Sequence, residues 1–259
     1  MNPPCKICGA QTVFFDSAKV LGKFDVSYYS CPSCGFIQTE EPYWLEESYS
    51  DAITSSDIGL CSRNIAMSRF CNVLFMTLFK NKNSFIDYGG GYGMFVRLMR
   101  DKGYDFEWYD EYCTNIFARG HEKNKGHFDI CTSFEMFEHL VNPLETVSAL
   151  TALADTVVFS TSLIPEERPK TNEWWYFCLD HGQHVSFYTK KSLEIVASKF
   201  GMKYYNLGDM HIMTRDSLSK TKLHILSNNK IRYFLSFIFP ARRSLLGKDY
   251  FELTGTQLG

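Results

Sequence analysis

The segment Asp87-Tyr88-Gly89-Gly90-Gly91-Tyr92-Gly93 limits what this chain can fold into more than any other stretch. It follows the apolar run Ser84-Phe85-Ile86, which reads as a short buried strand. It precedes Met94 to Arg100, which reads as a helix stopped by Gly103. Glycine at every second position, 89, 91 and 93, lets the backbone turn sharply and lie flat against a ligand, because no Cβ intrudes. Strand, bare turn and helix are the parts from which a doubly wound α/β sheet builds a cofactor crevice at the carboxyl end of its first strand. The ligand implied is a nucleotide-like cofactor.

Residues at fixed distances beyond the turn narrow that cofactor. Phe106 to Asp110 reads as a second strand ending in a carboxylate, about 20 residues downstream, where an acid can hold ribose hydroxyls. The even spacing of the glycines does not fit the dinucleotide pattern, and no Gly-Lys-Ser/Thr comes after them, which excludes a P-loop. An acid before alternating glycines resembles the first motif of class I S-adenosylmethionine-dependent methyltransferases. Further along, Phe128 to Ser133 is similar to the fourth strand of that family, and Phe134-Glu135-Met136-Phe137-Glu138-His139-Leu140-Val141-Asn142-Pro143 resembles the motif after that strand. Asn142 suits a helix N-cap with Pro143 at the first helical position. Thr156 to Ser160 reads as a fifth strand. Thr189 reads as the cap of a helix carrying Leu193, Val196, Ala197 and Phe200 on one face and ended by Gly201. Met202 to Tyr205 and Met210 to Thr214 read as an antiparallel terminal hairpin. The resemblance spans roughly Asp57 to Thr214, with a helix expected from Asp57 to about Phe79. It implies a Rossmann-like, mostly parallel sheet and a cofactor set of Asp87, Gly89, Gly91, Gly93, Asp110, Ser133, Phe134 and His139. Between Asp110 and Asp129 the stretch Ala118 to Gly126 supplies neither a clear third strand nor an adenine-contacting acid.

A separate signal opens the chain. Cys5-Lys6-Ile7-Cys8-Gly9 and Cys31-Pro32-Ser33-Cys34-Gly35 are two Cys-x-x-Cys knuckles 22 residues apart, each with glycine after it. Two intervening residues let both thiolates of a knuckle reach one ion, and four sulfurs satisfy tetrahedral Zn²⁺ with no open position, as in a structural site. Between them, Gln11 to Phe15 and Asp25 to Tyr29 alternate as a ribbon hairpin should. A segment this short lacks an apolar core of its own, so metal binding and folding are expected to be coupled. Cys61, Cys71, Cys113, Cys131 and Cys178 show no ligand spacing and read as buried thiols.

The chain of 259 residues has a formal net charge of −2, which gives no general pull toward phosphate backbones, so an unaided nucleic-acid binder is disfavoured. No signal peptide is expected from the amino terminus, and the longest apolar run, Tyr233 to Phe239, is far short of the roughly 20 residues that cross a bilayer. A cytoplasmic location is expected, where nine cysteines favour metal or free thiols over disulfides. The organisation expected is a zinc ribbon over 1–42, a methyltransferase domain over 43–214 and an appendage over 215–259.

Methyl transfer needs an acceptor held in line and, for a hydroxyl or carbon acid, a group to take its proton. The loop from Ser162 to Tyr188 contains Trp174, Trp175, His181, Gln183 and His184. Imidazole titrates near neutrality, so His184, and after it His181, are the candidate bases. The stretch His181 to Tyr188 is similar to one in sugar C-methyltransferases, which also begin with a four-cysteine module. That resemblance implies a carbohydrate acceptor such as a nucleotide-linked sugar or glycan precursor. Gln183 stands where those enzymes carry Glu, and transfer to oxygen and to carbon both stay open. Two other readings are a zinc-ribbon binding module on an inactive methyltransferase fold, and a methyltransferase of RNA or protein. The sequence leaves the oligomeric state open.

Overall fold

Alternating apolar residues become strands at the amino terminus of this computed structural model, which describes residues 2–49 and 58–259. Strand β1 (Val13–Val20) pairs antiparallel with β2 (Phe24–Ser30); β1 starts later than the expected Gln11 and runs past Phe15, and β2 extends the expected segment at both ends. A short β3 (Ile37–Thr39) and a single helical turn α1 (Leu45–Ser48) come next. The expected start of the following helix, Asp57, lies outside the described residues, and helix α2 runs over Leu60–Leu78.

Strand β4 (Phe85–Tyr88), helix α3 (Met94–Asp101) and strand β5 (Phe106–Tyr109) flank the glycine turn as expected. After them come β6 (Phe128–Ser133), α4 (Pro143–Leu153) starting at the expected Pro143, and β7 (Ala154–Ser160). A two-residue β8 (Ser186–Phe187) leads into α5 (Lys190–Lys199), whose N-cap Thr189 forms a capping box with Ser192. The terminal hairpin is β9 (Lys203–Asn206) with β10 (Met210–Thr214), and helices α6 (Lys220–Ser227), α7 (Asn229–Ile238) and α8 (Leu246–Thr254) close the chain.

Six strands form one sheet in the order β5-β4-β6-β7-β10-β9, parallel where β4 pairs with β5 and β6 and antiparallel at the β9–β10 edge. This is the mixed, mostly parallel α/β architecture the motifs imply. The third strand is reduced to a single parallel bridge between Trp108 and Glu122. Just beyond that bridge, buried Glu107 accepts from the Asn124 amide at 2.7 Å.

The chain resolves into two compact units. One comprises Met1–Thr54, Phe134–Ala152 and Val158–Arg215, and the other Ser55–Ser133, Leu153–Val157 and Asp216–Gly259. The first contains the four-stranded sheet β1-β2-β3-β8. Its apolar cluster joins Val20, Val26, Tyr28, Ile37 and Trp44 to Tyr176, Phe177, Val185 and Phe187. The cysteine ribbon thus shares a core with the histidine-bearing loop rather than standing on metal alone. The second unit is centred on the stacked rings of Phe75, Phe85 and Phe106, each fully buried and contributing about 2 kcal/mol or more.

The carboxyl-terminal helices belong to that second unit. Asp249 on α8 is buried and accepts from Arg100 Nε at 2.9 Å and Nη2 at 2.7 Å. Removing either partner of such a buried pair costs on the order of 3–5 kcal/mol. The aromatic run on α7 is exposed at Tyr233, Phe234 and Phe237. No described helix is long and apolar enough to cross a membrane.

Candidate active site

The glycine turn is a backbone construction. Gly89, Gly91 and Gly93 have φ of +74°, +54° and +84°, a region that a Cβ penalises. The turn is tied to the end of β5: the Gly89 and Gly90 amides donate to the Tyr109 carbonyl at 2.9 and 3.1 Å, and the Trp108 indole donates to the Gly91 carbonyl at 2.9 Å. Asp110 accepts from the Gly91 amide through Oδ2 at 2.8 Å, and from the Tyr112 and Cys113 amides through Oδ1. The glycines differ in what surrounds them. A Cβ on Gly93 would meet Asn115 Oδ1 at 2.5 Å, whereas one on Gly91 would meet nothing within 4 Å. The open side of the turn is therefore at Gly91.

Asp87 lies under this turn and is buried. Thr132 Oγ1 donates to its Oδ1 at 2.6 Å. Burial raises its pKa to about 7; the Thr132 bond opposes that rise, and the Asp110 charge adds to it. Ser133, at the end of β6, is buried, and Phe134 is partly exposed.

The histidine cluster lies in the other unit and is assembled from distant segments. The loop after β7 passes through a 3₁₀ turn at Trp175–Phe177, a left-handed Cys178 (φ +46°) and Gly182 (φ +67°). Gly182 is required there, because a Cβ would meet Val20 at 2.6 Å and Ser48 Oγ at 2.9 Å. The Trp44 indole donates to the Gly182 carbonyl at 2.7 Å, and Gln183 Nε2 donates to the Ser48 carbonyl at 2.7 Å. The Val185 amide then donates to the Glu138 carbonyl at 2.9 Å, which draws His184 alongside the Glu138-His139 pair.

His184 and His139 meet ring to ring, 4.9 Å between centroids and 69° between planes. His184 Nδ1 lies 2.7 Å from the Tyr176 carbonyl, which can only accept, so Nδ1 carries the proton and Nε2 the lone pair. His139 Nδ1 pairs with the Tyr49 hydroxyl at 2.8 Å. Burial lowers His184 to about 4 and His139 to about 3. Both rings keep accessible surface, which tempers the fall without reversing it, so both are neutral near pH 7. His181 is not one of the three clustered groups, which are Glu138, His139 and His184.

Glu138 is not singled out by the sequence, although it stands inside the motif around His139. It is 1 % exposed, and burial, with Glu135 adding to it, raises its pKa to about 8. The hydroxyls of Tyr176 and Thr161 temper that rise but make no hydrogen bond of acceptable geometry with the carboxylate. They pair with each other at 3.2 Å. Of the two indoles, Trp174 packs against Tyr176, Phe177 and Phe187, and Trp175 is 75 % exposed.

The four knuckle sulfurs converge. Cys5 and Cys34 lie 3.6 Å apart, Cys8 and Cys31 3.4 Å, and all four fall within 4.8 Å of one another. Tetrahedral bonds of about 2.3 Å would set sulfurs roughly 3.8 Å apart, so the group is sized for one ion. Cys5 is held down to about 5, chiefly by the bond from Cys34, whose own thiol is driven up. The knuckle is joined to the loop beyond His184: Thr189 Oγ1 donates to the Cys34 carbonyl at 2.6 Å, and β3 pairs with β8. Of the remaining cysteines, Cys71 and Cys131 are buried as expected, Cys113 and Cys178 are partly exposed, and Cys61 is exposed, in the first two turns of α2, where no residue is buried.

A family model described as a methyltransferase domain matches residues 63–207, more than half of the chain. No curated protein matches this sequence. Among solved structures, the chain is similar to magnesium protoporphyrin IX methyltransferase from Synechocystis PCC 6803 with bound S-adenosylhomocysteine. That match has 13 % identity, covers 65 % of this chain and 90 % of that one, and has a TM-score of 0.40. An O-methyltransferase family protein from Burkholderia thailandensis is matched at 14 % identity over 67 % of this chain and 68 % of that one, TM-score 0.45. A possible histamine N-methyltransferase from Thermotoga maritima is matched at 9 % identity over 61 % and 92 %, TM-score 0.42.

Proposed function

We propose, since the chain belongs to the methyltransferase-domain family and is an S-adenosylmethionine-dependent methyltransferase, that its acceptor is a hydroxyl of a carbohydrate such as a nucleotide-linked sugar or glycan precursor. The cofactor supplies a methyl group on a sulfonium. Asp87, Gly89, Gly91, Gly93, Asp110, Ser133 and Phe134 are the residues we assign to hold it, and the open space beside Gly91 fits a ligand lying against bare backbone. We read His139 with the acceptor cluster instead, because its ring is engaged by Tyr49 and faces His184.

The observation that carries the acceptor reading is the orientation of His184. Its Nδ1 proton is committed to the Tyr176 carbonyl, so Nε2 presents a lone pair on which activation of a hydroxyl can depend. Oxygen is favoured over carbon. Gln183 spends its amide on the Ser48 backbone and supplies no carboxylate of its own, and a weakly basic imidazole is poorly matched to a carbon acid. Support for a sugar comes from the exposed Trp175 ring, a stacking face for a pyranose, and from the likeness of the His181–Tyr188 stretch to sugar enzymes. We assign Zn²⁺ to Cys5, Cys8, Cys31 and Cys34 as a closed structural site.

The test is release of S-adenosylhomocysteine by zinc-loaded protein against a panel of sugar nucleotides, with calorimetry for cofactor binding. Turnover on at least one sugar with an O-methyl product is the expected result. Methylation of RNA or protein only, or salt-sensitive nucleic-acid binding without cofactor, would replace the reading.

A further inference from the structure

The histidine cluster contains more donor atoms than a simple base needs. One ligand atom each from Glu138, His139 and His184 lies within 4.8 Å of the other two. Resting on the reading of this site as a hydroxyl methyltransferase, we propose that these three residues bind a divalent transition-metal cation that holds and acidifies the acceptor hydroxyl.

Three observations carry the proposal. The first is Glu138 itself: its side chain is 1 % exposed, and among the described residues neither carboxylate oxygen has a hydrogen-bond partner. Buried carboxylates are ordinarily satisfied by donors or by a metal, and an unpaired one in a folded core calls for a missing positive partner. The second is how the imidazoles are held. His184 gives Nδ1–H to the Tyr176 carbonyl, and His139 Nδ1 is held by the Tyr49 hydroxyl. A ring tethered at one nitrogen to a carbonyl or hydroxyl, with the other free, is the arrangement that orients histidine toward a metal. The third is the surroundings. Glu135, held in the left-handed region at φ +52° and bonded by Ser160 Oγ at 2.6 Å, places a second carboxylate near Glu138 and makes the locality more negative.

The donor set decides the kind of ion. Two imidazoles and one carboxylate suit Mn²⁺, Fe²⁺, Co²⁺ or Zn²⁺ better than Mg²⁺ or Ca²⁺, which prefer oxygen. Three protein ligands leave coordination positions open, unlike the four closed sulfurs of the ribbon. A hydroxyl bound in an open position loses its proton to water more readily, because the cation stabilises the alkoxide. In this arrangement the His184 lone pair acts on the hydroxyl through the ion.

The experiment uses full-length protein loaded with zinc at the four cysteines and stripped of other metal. Mn²⁺ is titrated by calorimetry and electron paramagnetic resonance, in wild type and in Glu138→Gln. One further equivalent is expected in wild type, with affinity weakened on the order of 100-fold or more in the variant and S-adenosylmethionine binding unchanged. Co²⁺ added to wild type gives a second readout that needs no variant: a weak d–d spectrum without thiolate charge transfer is expected beyond the first site. Absence of any second equivalent, or equal Mn²⁺ affinity in Glu138→Gln, overturns the proposal. O-methylation at full rate with one zinc per chain and chelator present overturns it too, and leaves the acceptor reading standing. A bound second metal with no hydroxyl acceptor in any panel leaves the site standing and removes the acceptor reading.

Discussion

The glycine turn and the histidine cluster are built by opposite means. The turn is a short continuous segment whose shape comes from positive φ at three glycines, with the β5 backbone as its anchor. The cluster gathers Tyr49, Glu138, His139, Tyr176 and His184, and depends on a shared core that joins the cysteine ribbon to the loop after β7. A site made of backbone tolerates change in the side chains around it and fails when a Cβ is added. A site made of converging side chains fails when a distant support is removed. The difference predicts where each half is fragile.

The largest effect is expected from the ribbon. Cys31→Ser, or chelation of the zinc we assign to the four cysteines, should lower the melting temperature strongly and abolish turnover, because β3 and Thr189 tie the knuckle to the His184 segment. Binding of S-adenosylmethionine at the glycine turn should survive in part, and calorimetry showing that it vanishes entirely would break the contrast between the two halves.

Asp87 comes next. Its pKa rises from 3.8 to about 7 in the folded chain, so between those values the folded state holds a proton that the unfolded state has released. Stability from this group is therefore lost as pH rises through that window. Asp87→Asn keeps an acceptor for Thr132 and should stabilise the cofactor-free protein by at most on the order of 4 kcal/mol at pH 8, fading below about pH 4. A pH-independent gain in denaturant melts would assign the effect to packing.

His184→Ala should reduce turnover by roughly 10²-fold or more while leaving cofactor affinity nearly intact. Unchanged turnover would remove His184 from the chemistry.

The smallest effects sharpen the account of the turn. Gly91→Ala puts a methyl group into open space, at a strain cost of about 1 kcal/mol, and should weaken cofactor binding about tenfold with little change in melting temperature. Gly93→Ala drives its Cβ against Asn115 and Ala118 and should instead lower the melting temperature. Equal behaviour of the two variants would show that the open side of the turn is not where the ligand lies.

Much of the framework was legible because it is local. Thr189 caps α5, Pro143 begins α4, Gly103 and Gly201 lie beyond the ends of α3 and α5 at φ +81° and +67°, and Met210–Thr214 is a strand, all from rules that act over a few residues. The convergence of the four knuckle sulfurs was legible for the same reason. Glu138 escapes notice in the sequence because nothing in its neighbourhood along the chain tells a buried, unpaired carboxylate from a solvated one. The docking of Asp249 on Arg100, 149 residues away, was beyond reach for a similar reason.

The amino-acid order alone therefore determined the glycine turn, the helix ends and the knuckles, since steric limits on φ and short ligand spacings are properties of a few consecutive residues. Only the tertiary structure decided that Glu138, His139 and His184 lie in one cluster and that the ribbon and the His184 loop share one core. Those outcomes depend on which apolar surfaces bury one another, and burial is decided by the whole chain at once.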